Sequence, residues 1–348
     1  MILPQTSTFV LAVAVLSLLL LGSWASLFKA AGKWRYELFY FDFAFGVLIA
    51  MLVCSFTFGD LGFDGFNFLD DIAKAGKRQW MFAILAGGVF NLGNMLLMAA
   101  VSVAGISVAF PIAFGMAILL GAGLGNLVKP GDNATMVMLG CLLIFAAATV
   151  SALAYRINAV LRHEEQARAG RAKSTRRPSA IKGIILAVAA GLLMGSVGNL
   201  VNLARSGELG MGPYATSGFL ALGVFFSTFV YNVFLMNLPV DGDPIDFGAY
   251  FAGTRMQHAL GVAGGILWFC GALAAMVLTA VPAGIQLDAR IGTPLSQGSA
   301  LLAAIIGLVF LREAKAGDMR VKVLSALMLV LFACGILMLG LAAAPVKG

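Results

Sequence analysis

The sequence predicts an all-α integral membrane protein with ten transmembrane helices, built as two inverted five-helix repeats. Its composition, the spacing of its apolar runs and an echo between its halves each point that way. Of 348 residues, 61% are hydrophobic and only 11% are charged, with a mean hydropathy of +0.96. Such a balance excludes a soluble domain, so the unit of organisation is the helix of about 20 apolar residues that crosses a bilayer. The formal charge of +7 sits in short connections between apolar runs. It therefore reads as membrane topology rather than nucleic-acid binding.

Ten runs are long and apolar enough to span, at approximately 6–28, 38–58, 80–103, 106–128, 134–155, 181–203, 214–238, 256–280, 284–311 and 321–341. Nothing basic precedes the first run, and it is too long for the apolar core of a signal peptide, so it is expected to remain as a helix. A polar stretch divides the runs five and five. The expected organisation is a first repeat over 1–156, a basic cytoplasmic linker over 157–180 and a second repeat over 181–348.

The halves echo one another. Pro111 and Gly115 in the fourth run have counterparts 183 residues later in Pro294 and Gly298 of the ninth. Gly46-Val47 answers Gly223-Val224 and Gly87-Gly88 answers Gly264-Gly265, each 177 apart, while Gly22-Ser23 answers Gly195-Ser196 at 173. Because each half has an odd number of spans, the second half enters the membrane inverted. Proline inside a span leaves a carbonyl four residues earlier without its donor, and glycine admits a close backbone or ligand. Such interruptions at matching places in two halves mark a transporter's binding region. Gly121 and Gly125 fit GxxxG, a sign of close helix packing.

Loop charge sets the orientation. One side carries sixteen basic residues: Lys29, Lys33 and Arg35, eight over 156–182, Arg255, and Arg312, Lys315, Arg320 and Lys322. The other carries six: Lys74, Lys77, Arg78, Lys129, Arg205 and Lys347. The bias places the linker in the cytoplasm and both termini outside, as expected for a plasma (inner) membrane protein.

Ionisable residues inside spans are costly and are functional candidates by default. Asp42 lies about a turn into the second run and Glu37 at its edge; the plain alternatives are a helix-end carboxylate and an interfacial charge. Asp288 opens the ninth run, where the helix dipole favours an anion, and Arg290 follows two residues later on a different face. Each could serve proton coupling or substrate charge recognition, or form a structural ion pair. Asn91, Asn94, Trp268, Ser296 and Gln297 lie near mid-depth, and their amides and indole suit a flat polar neutral solute. Alternatively, such amides tie helices together. Asn199, Asn202, Tyr231 and Asn232 are weaker candidates of the same kind. Cys54, Cys141, Cys270 and Cys334 all lie in apolar runs without metal-like spacing, and only His163 and His258 are present. No metal site is expected.

Several stretches resemble the ureide permease family of the drug/metabolite transporter superfamily. They are LGSWASLFKAAGKWRYELFYFDFAFGVLIAMLVCSFTFGDLG, MFAILAGGVFNLGNMLLMAAVSVAGISV and DARIGTPLSQ. The most specific elements are Asp42 among its aromatics, Thr57-Phe58-Gly59, Gly87-Gly88 with Gly93-Asn94, and Asp288 with Pro294. The resemblance implies import of ureides such as allantoin, or nucleobases such as uracil, with protons and no other cofactor. Its expected partners are a small-molecule substrate and the lipid bilayer. Plant-type members have a long cytoplasmic centre with a P-loop-like motif; here Gly170-Arg-Ala-Lys173-Ser174 lacks that spacing, and Arg290 also departs from the family pattern. Competing expectations are a glucose- or rhamnose-type uptake symporter, a drug or metabolite exporter, a passive channel, and an intramembrane aspartyl protease using Asp42 and Asp288.

Overall fold

The computed structural model describes residues 1–62, 66–124, 133–168, 180–240, 242–315 and 317–343. Among them the chain is helical, with no strand. The helices are α1 (Ser7–Ala30), α2 (Tyr36–Thr57), the short α3 (Phe68–Lys74), α4 (Lys77–Ala104), α5 (Ile106–Leu124), α6 (Ala134–Arg168), α7 (Ile181–Arg205), α8 (Pro213–Asn237), the single turn α9 (Gly248–Phe251), α10 (Arg255–Leu278), α11 (Ala289–Gln297), α12 (Ser299–Ile305) and α13 (Met319–Ala342).

Local chemistry starts several of them. Thr6 accepts from the amide of Phe9 at the head of α1, Pro213 opens α8 where its missing N–H costs nothing, and Thr254 with Gln257 forms a capping box on α10. Among the described residues eight helices are long and apolar enough to cross a membrane, and a ninth crossing is made if α11 and the segment Ser299–Phe310, bent by 50°, count as one broken span. Their outer faces are apolar. On α8, Phe226, Val230 and Phe234 form a stripe four residues apart, 64%, 68% and 62% exposed, as a lipid-facing surface requires. The chain is a multi-pass membrane protein.

Three outcomes differ from the hydropathy pattern. The fourth run gives a shorter apolar helix, 106–122, and its expected end at Val128 lies outside the described residues. The fifth run does not stop at Tyr155: α6 continues to Arg168, because its polar last turns still find partners, Asn158 and Arg162 both donating to the carbonyl of Glu313. The linker is thus shorter than 157–180, and 169–179 lies outside the described residues. The ninth run breaks at Gly298, and α12 passes into a π-helical turn over Ile306–Phe310.

The side on which α6 ends and α7 begins is termed the linker side, the opposite one the terminus side. Hydrogen bonds between connections align the helix ends. Ile2 donates to the Phe58 carbonyl and Asn133 to that of Ala342 on the terminus side. On the linker side Lys182 donates to Val240, and the amides of Ile106 and Ser107 donate to the Glu313 carboxylate.

Helix pairing is nearly unchanged when the first five long segments are exchanged for the second five. The pair α1·α10 has its mate in α7·α4, α2·α10 in α8·α4, α7·α5 in α1·α12 and α5·α6 in α11·α13, while α2·α8, α6·α13 and α5·α12 map onto themselves. Glycines fix two of these pairs at backbone contact. A Cβ on Gly46 would fall 2.0 Å from the Val262 carbonyl oxygen, and one on Gly265 2.0 Å from that of Phe43. A Cβ on Gly223 would fall 2.2 Å from the Ile84 oxygen, and one on Gly87 2.1 Å from that of Leu220. No side chain fits between these backbones. The contacts make Gly46 equivalent to Gly223, as the sequence echo suggests. Gly87, however, is equivalent to Gly265, an offset of 178, rather than to Gly264.

Candidate functional site

A cavity of about 630 Å³ opens between the halves and is lined by α4, α5, α6, α7, α11 and α13. Val137 and Ala342 in its lining lie near the terminus-side ends of their helices, and Phe90 lies at mid-depth on α4. Its side-chain polarity comes from the broken span, where α11 turns Thr293 and Gln297 onto the wall. Phe90 and Phe114 supply aromatic surface. Behind them lies a continuous aromatic packing: Trp268 stacks on Phe90 at 4.6 Å, Phe43 meets Trp268 at 5.9 Å and Tyr40 meets Phe43 at 4.9 Å. Phe110 stacks on Phe114 at 5.4 Å and touches Trp24. These rings close the cavity floor.

The structure divides the expected substrate residues. Gln297 faces the cavity, and Trp268, 5% exposed, stands behind Phe90. Ser296 points into a separate crevice of about 320 Å³ between α1, α10 and α11, with its hydroxyl donating to the Thr293 carbonyl. Asn91 and Asn94 share a face of α4, as their spacing requires, and both bond Tyr40. Tyr40 donates to Asn91 Oδ1 at 2.9 Å and accepts from Asn94 Nδ2 at 2.9 Å. Asn91 Nδ2 reaches the Val224 carbonyl, Ser227 and Thr228 on α8. This buried network joins α2, α4 and α8; only Asn94 Oδ1 lacks a partner within it. Asn232 donates to the Glu37 carbonyl at 2.6 Å, while Asn199 is half-buried and Asn202 exposed. Tyr231 is half-buried too.

The charged candidates fall at opposite ends. Asp288 is the N-cap of α11 and accepts from the Arg290 amide at 2.8 Å; both residues are exposed at the terminus side. Glu37 is fully buried and paired with Arg35 at 2.6 Å. Asp42, 3% exposed, lies on α2 near the linker side. It accepts from the Tyr250 hydroxyl at 2.6 Å, and its two oxygens lie 2.9 and 3.1 Å from His258 Nδ1. His258 sits edge-on between Tyr250, at 4.7 Å, and Trp34, at 5.4 Å. Burial lifts the Tyr250 phenol above its ordinary range, and the Asp42 carboxylate adds to that rise.

Of the helix-breaking residues, Pro294 and Gly298 stand at a real break, whereas Pro111 and Gly115 lie in the unbroken α5. At the linker-side start of α5, Glu313 accepts from the amides of Ile106 and Ser107 and from the Ser107 hydroxyl at 2.6 to 2.9 Å. Lys29 donates to the Val101 carbonyl beside it. On the terminus side, buried Asp71 accepts from the Gly212 amide at the start of α8. Burial raises its carboxyl above the usual range. No group of metal-binding side chains occurs among the described residues.

Sequence reasoning missed Tyr40, His258, Tyr250, Thr293 and Glu313 as members of these sites. His258 left a usable signal, being one of two histidines and three residues into an apolar run. The other four become visible only when distant segments meet.

The sequence profile of the ureide permease family matches residues 39–182. "Ureide permease 2" of Arabidopsis thaliana is 28% identical over 168 residues, 46% of this chain and 42% of that protein. "Ureide permease 1" of the same plant is 27% identical over 38% of this chain and 36% of its own length. The chain therefore spans about two-fifths of the curated relatives it matches. A solved structure titled "Crystal structure of protein" aligns with 95% of this chain and 98% of its own at 17% identity and a TM-score of 0.46.

Proposed function

We propose that this chain, whose residues 39–182 match the ureide permease profile, is a secondary active transporter that imports a small polar ureide or nucleobase, such as allantoin or uracil, by proton symport. The cavity carries this reading. It lies between the halves and runs from the terminus-side ends of α6 and α13 to aromatic rings at mid-depth, which suits a flat heterocycle. Gln297 offers such a ring both a donor and an acceptor, and Thr293 a hydroxyl. The Asn91–Tyr40–Asn94 network holds the wall behind them, and Trp268 backs the floor.

The architecture we infer is ten crossings in two inverted repeats, the first over 1–156 and the second over 181–348, counting α5 and the broken α11–α12 as spans. The exchange-invariant helix pairing supports it, as do the glycine contacts that repeat at constant offset. Loop charge supports a cytoplasmic linker with both termini outside, at the plasma membrane. In that frame the cavity faces outward, while the Glu313 cap on α5 and the aromatic floor keep the inner side shut. Asp42 is the proposed proton-coupling carboxylate, with Glu37 fixed by Arg35, and Asp288 and Arg290 stand at the outer mouth. A protease using Asp42 and Asp288 finds no support, because the two lie at opposite ends of the bundle.

Labelled allantoin, uracil and glucose, offered to proteoliposomes with and without an inward proton gradient, test the proposal. Accumulation of a ureide or nucleobase that collapses with the gradient is expected. Glucose uptake alone would favour the sugar-symporter reading, and efflux against the gradient an exporter.

A further inference from the structure

The internal symmetry supplies a control for the Asp42 cluster. The glycine contacts relate α2 to α8 at an offset of 177 and α4 to α10 at 178. Those offsets carry Asp42 onto Phe219 and His258 onto Trp80. Phe219 and Trp80 touch as well, their rings stacked at 5.3 Å and 15°. Asp42 and Phe219 each lie six residues, about 9 Å, along their helices, and His258 and Trp80 each lie three residues in. One architectural position is thus built twice, as an aromatic stack on the terminus side and as a carboxylate–imidazole pair on the linker side.

The aromatic version shows what packing alone requires there. Exchanging a buried ion pair for well-packed apolar groups is commonly neutral or stabilising, so the Asp42–His258 version is not needed to hold α2 against α10. Taking a carboxylate out of water costs stability that this position does not demand. We propose that Asp42 and His258 form one shared proton-binding site, and that it is the last station a transported proton occupies before leaving on the linker side. The Phe219–Trp80 stack is its closed counterpart, with no titratable group to pass a proton toward the terminus side.

The surroundings fit. Only Tyr250 and His258 reach the Asp42 carboxylate among the described residues. At the start of α2 the nearest charges, Arg35 just before it and Glu37 in its first turn, pair with each other. Arg255 is exposed on α10, while Asp243 and Asp246 lie in the connection before α9, where the Asp243 carbonyl accepts from Arg35. Lys29 and Lys33 line a crevice with Arg35 and Glu37, and Lys29 is engaged at Val101. The facing residue from α8, Asn232, is neutral. The His258 side chain is 27% exposed while that of Asp42 is 4% exposed, so the imidazole is the more accessible member, and it lies three residues from the linker-side end of α10. Phe43, next to Asp42, packs on Trp268, which connects this pair to the cavity floor through the same two helices.

This inference rests on the transporter reading, but part of its test does not need transport. A protonated imidazole quenches a neighbouring indole, and Trp34 lies edge-on to His258. In oriented proteoliposomes with pH set separately on each face, the Trp34 emission, taken as the difference from Trp34→Phe, should fall as the linker-side pH falls and ignore the other face. The response should vanish in His258→Gln and move along the pH axis in Asp42→Asn. Emission that follows the terminus-side pH, or no pH response, overturns the proposal. Transport then tests the coupling. The double substitution Asp42→Phe with His258→Trp copies the sister stack, and Asp42→Asn serves if it misfolds. Either should keep substrate exchange yet lose at least ten-fold in gradient-driven accumulation, and its uptake should no longer slow when the linker side is acidified. Wild-type accumulation in both variants overturns the assignment. If the wild type exchanges none of the offered substrates while the Trp34 response holds, it is the substrate reading that fails.

Discussion

The fourth and ninth apolar runs contain the same punctuation and fold differently. In α5, Pro111 stands five residues after the first helical residue and Gly115 four beyond it, yet the helix runs unbroken from Ile106 to Leu124. In α11, Pro294 stands five residues after Ala289 and Gly298 again four beyond, and there the axis turns by 50°. Proline and glycine therefore permit a break without imposing one. The surroundings decide. Gly115 faces the side chains of Ile144, Phe332 and Ala148 at ordinary or slightly tight contact, so neighbours brace a straight helix. At Gly298 the segments part, α11 packing chiefly against α13 while α12 packs on α5 and, more closely than α11 does, on α1. The break aims Gln297 at the cavity and Ser296 at the crevice beside α1. The unbroken sister presents Phe114, Ala117 and Ile118 to the same cavity. One span supplies polarity and the other shape.

The largest expected effect tests whether the halves are equivalent at all. Gly87→Leu and Gly265→Leu should each abolish a folded monodisperse protein, because both drive a side chain into a partner's backbone. The loss should exceed the roughly 1–3 kcal/mol of an overpacked core, where side chains can yield. Detergent thermal melts and size-exclusion profiles check it, and a mild effect at only one position would break the equivalence.

A smaller effect separates the two proline spans. Gly115→Ala should be neutral or stabilising by up to about 1 kcal/mol, since alanine favours a straight helix. Gly298→Ala should destabilise by roughly 1–2 kcal/mol, because its Cβ would lie 2.5 Å from the Pro294 carbonyl oxygen. Opposite shifts of melting temperature from the same substitution are the expected outcome; shifts of the same sign would mean that the bend is not set at Gly298.

The smallest effect distinguishes a cavity residue from a framework residue. Gln297→Ala should weaken substrate binding by about 1 kcal/mol, roughly five-fold, and leave stability unchanged. Asn94→Ala should instead lower stability by about 1 kcal/mol, because Tyr40 loses a buried donor. Binding and melting measured on both variants check this, and an Asn94 effect on affinity alone would place its free oxygen in the cavity.

The chain's membrane nature and the positions of most spans follow from the sequence by itself, because burial in lipid imposes long apolar runs and leaves little freedom. The matched Pro and Gly positions were legible too, as was the cost of a carboxylate at Asp42. Tertiary structure alone decided what those signals became. It placed His258 and Tyr250 on Asp42 across more than 200 residues of chain and spent Asn91 and Asn94 on Tyr40 rather than on the cavity wall. It also put Ser296 and its neighbour Gln297 into different spaces. The physical reason is that a span's apolar content is a property of each residue, whereas the partner of a buried polar group depends on which helix face meets which. That face turns by about 100° with every residue of register, and one residue of offset between the halves, 177 against 178, is enough to set it.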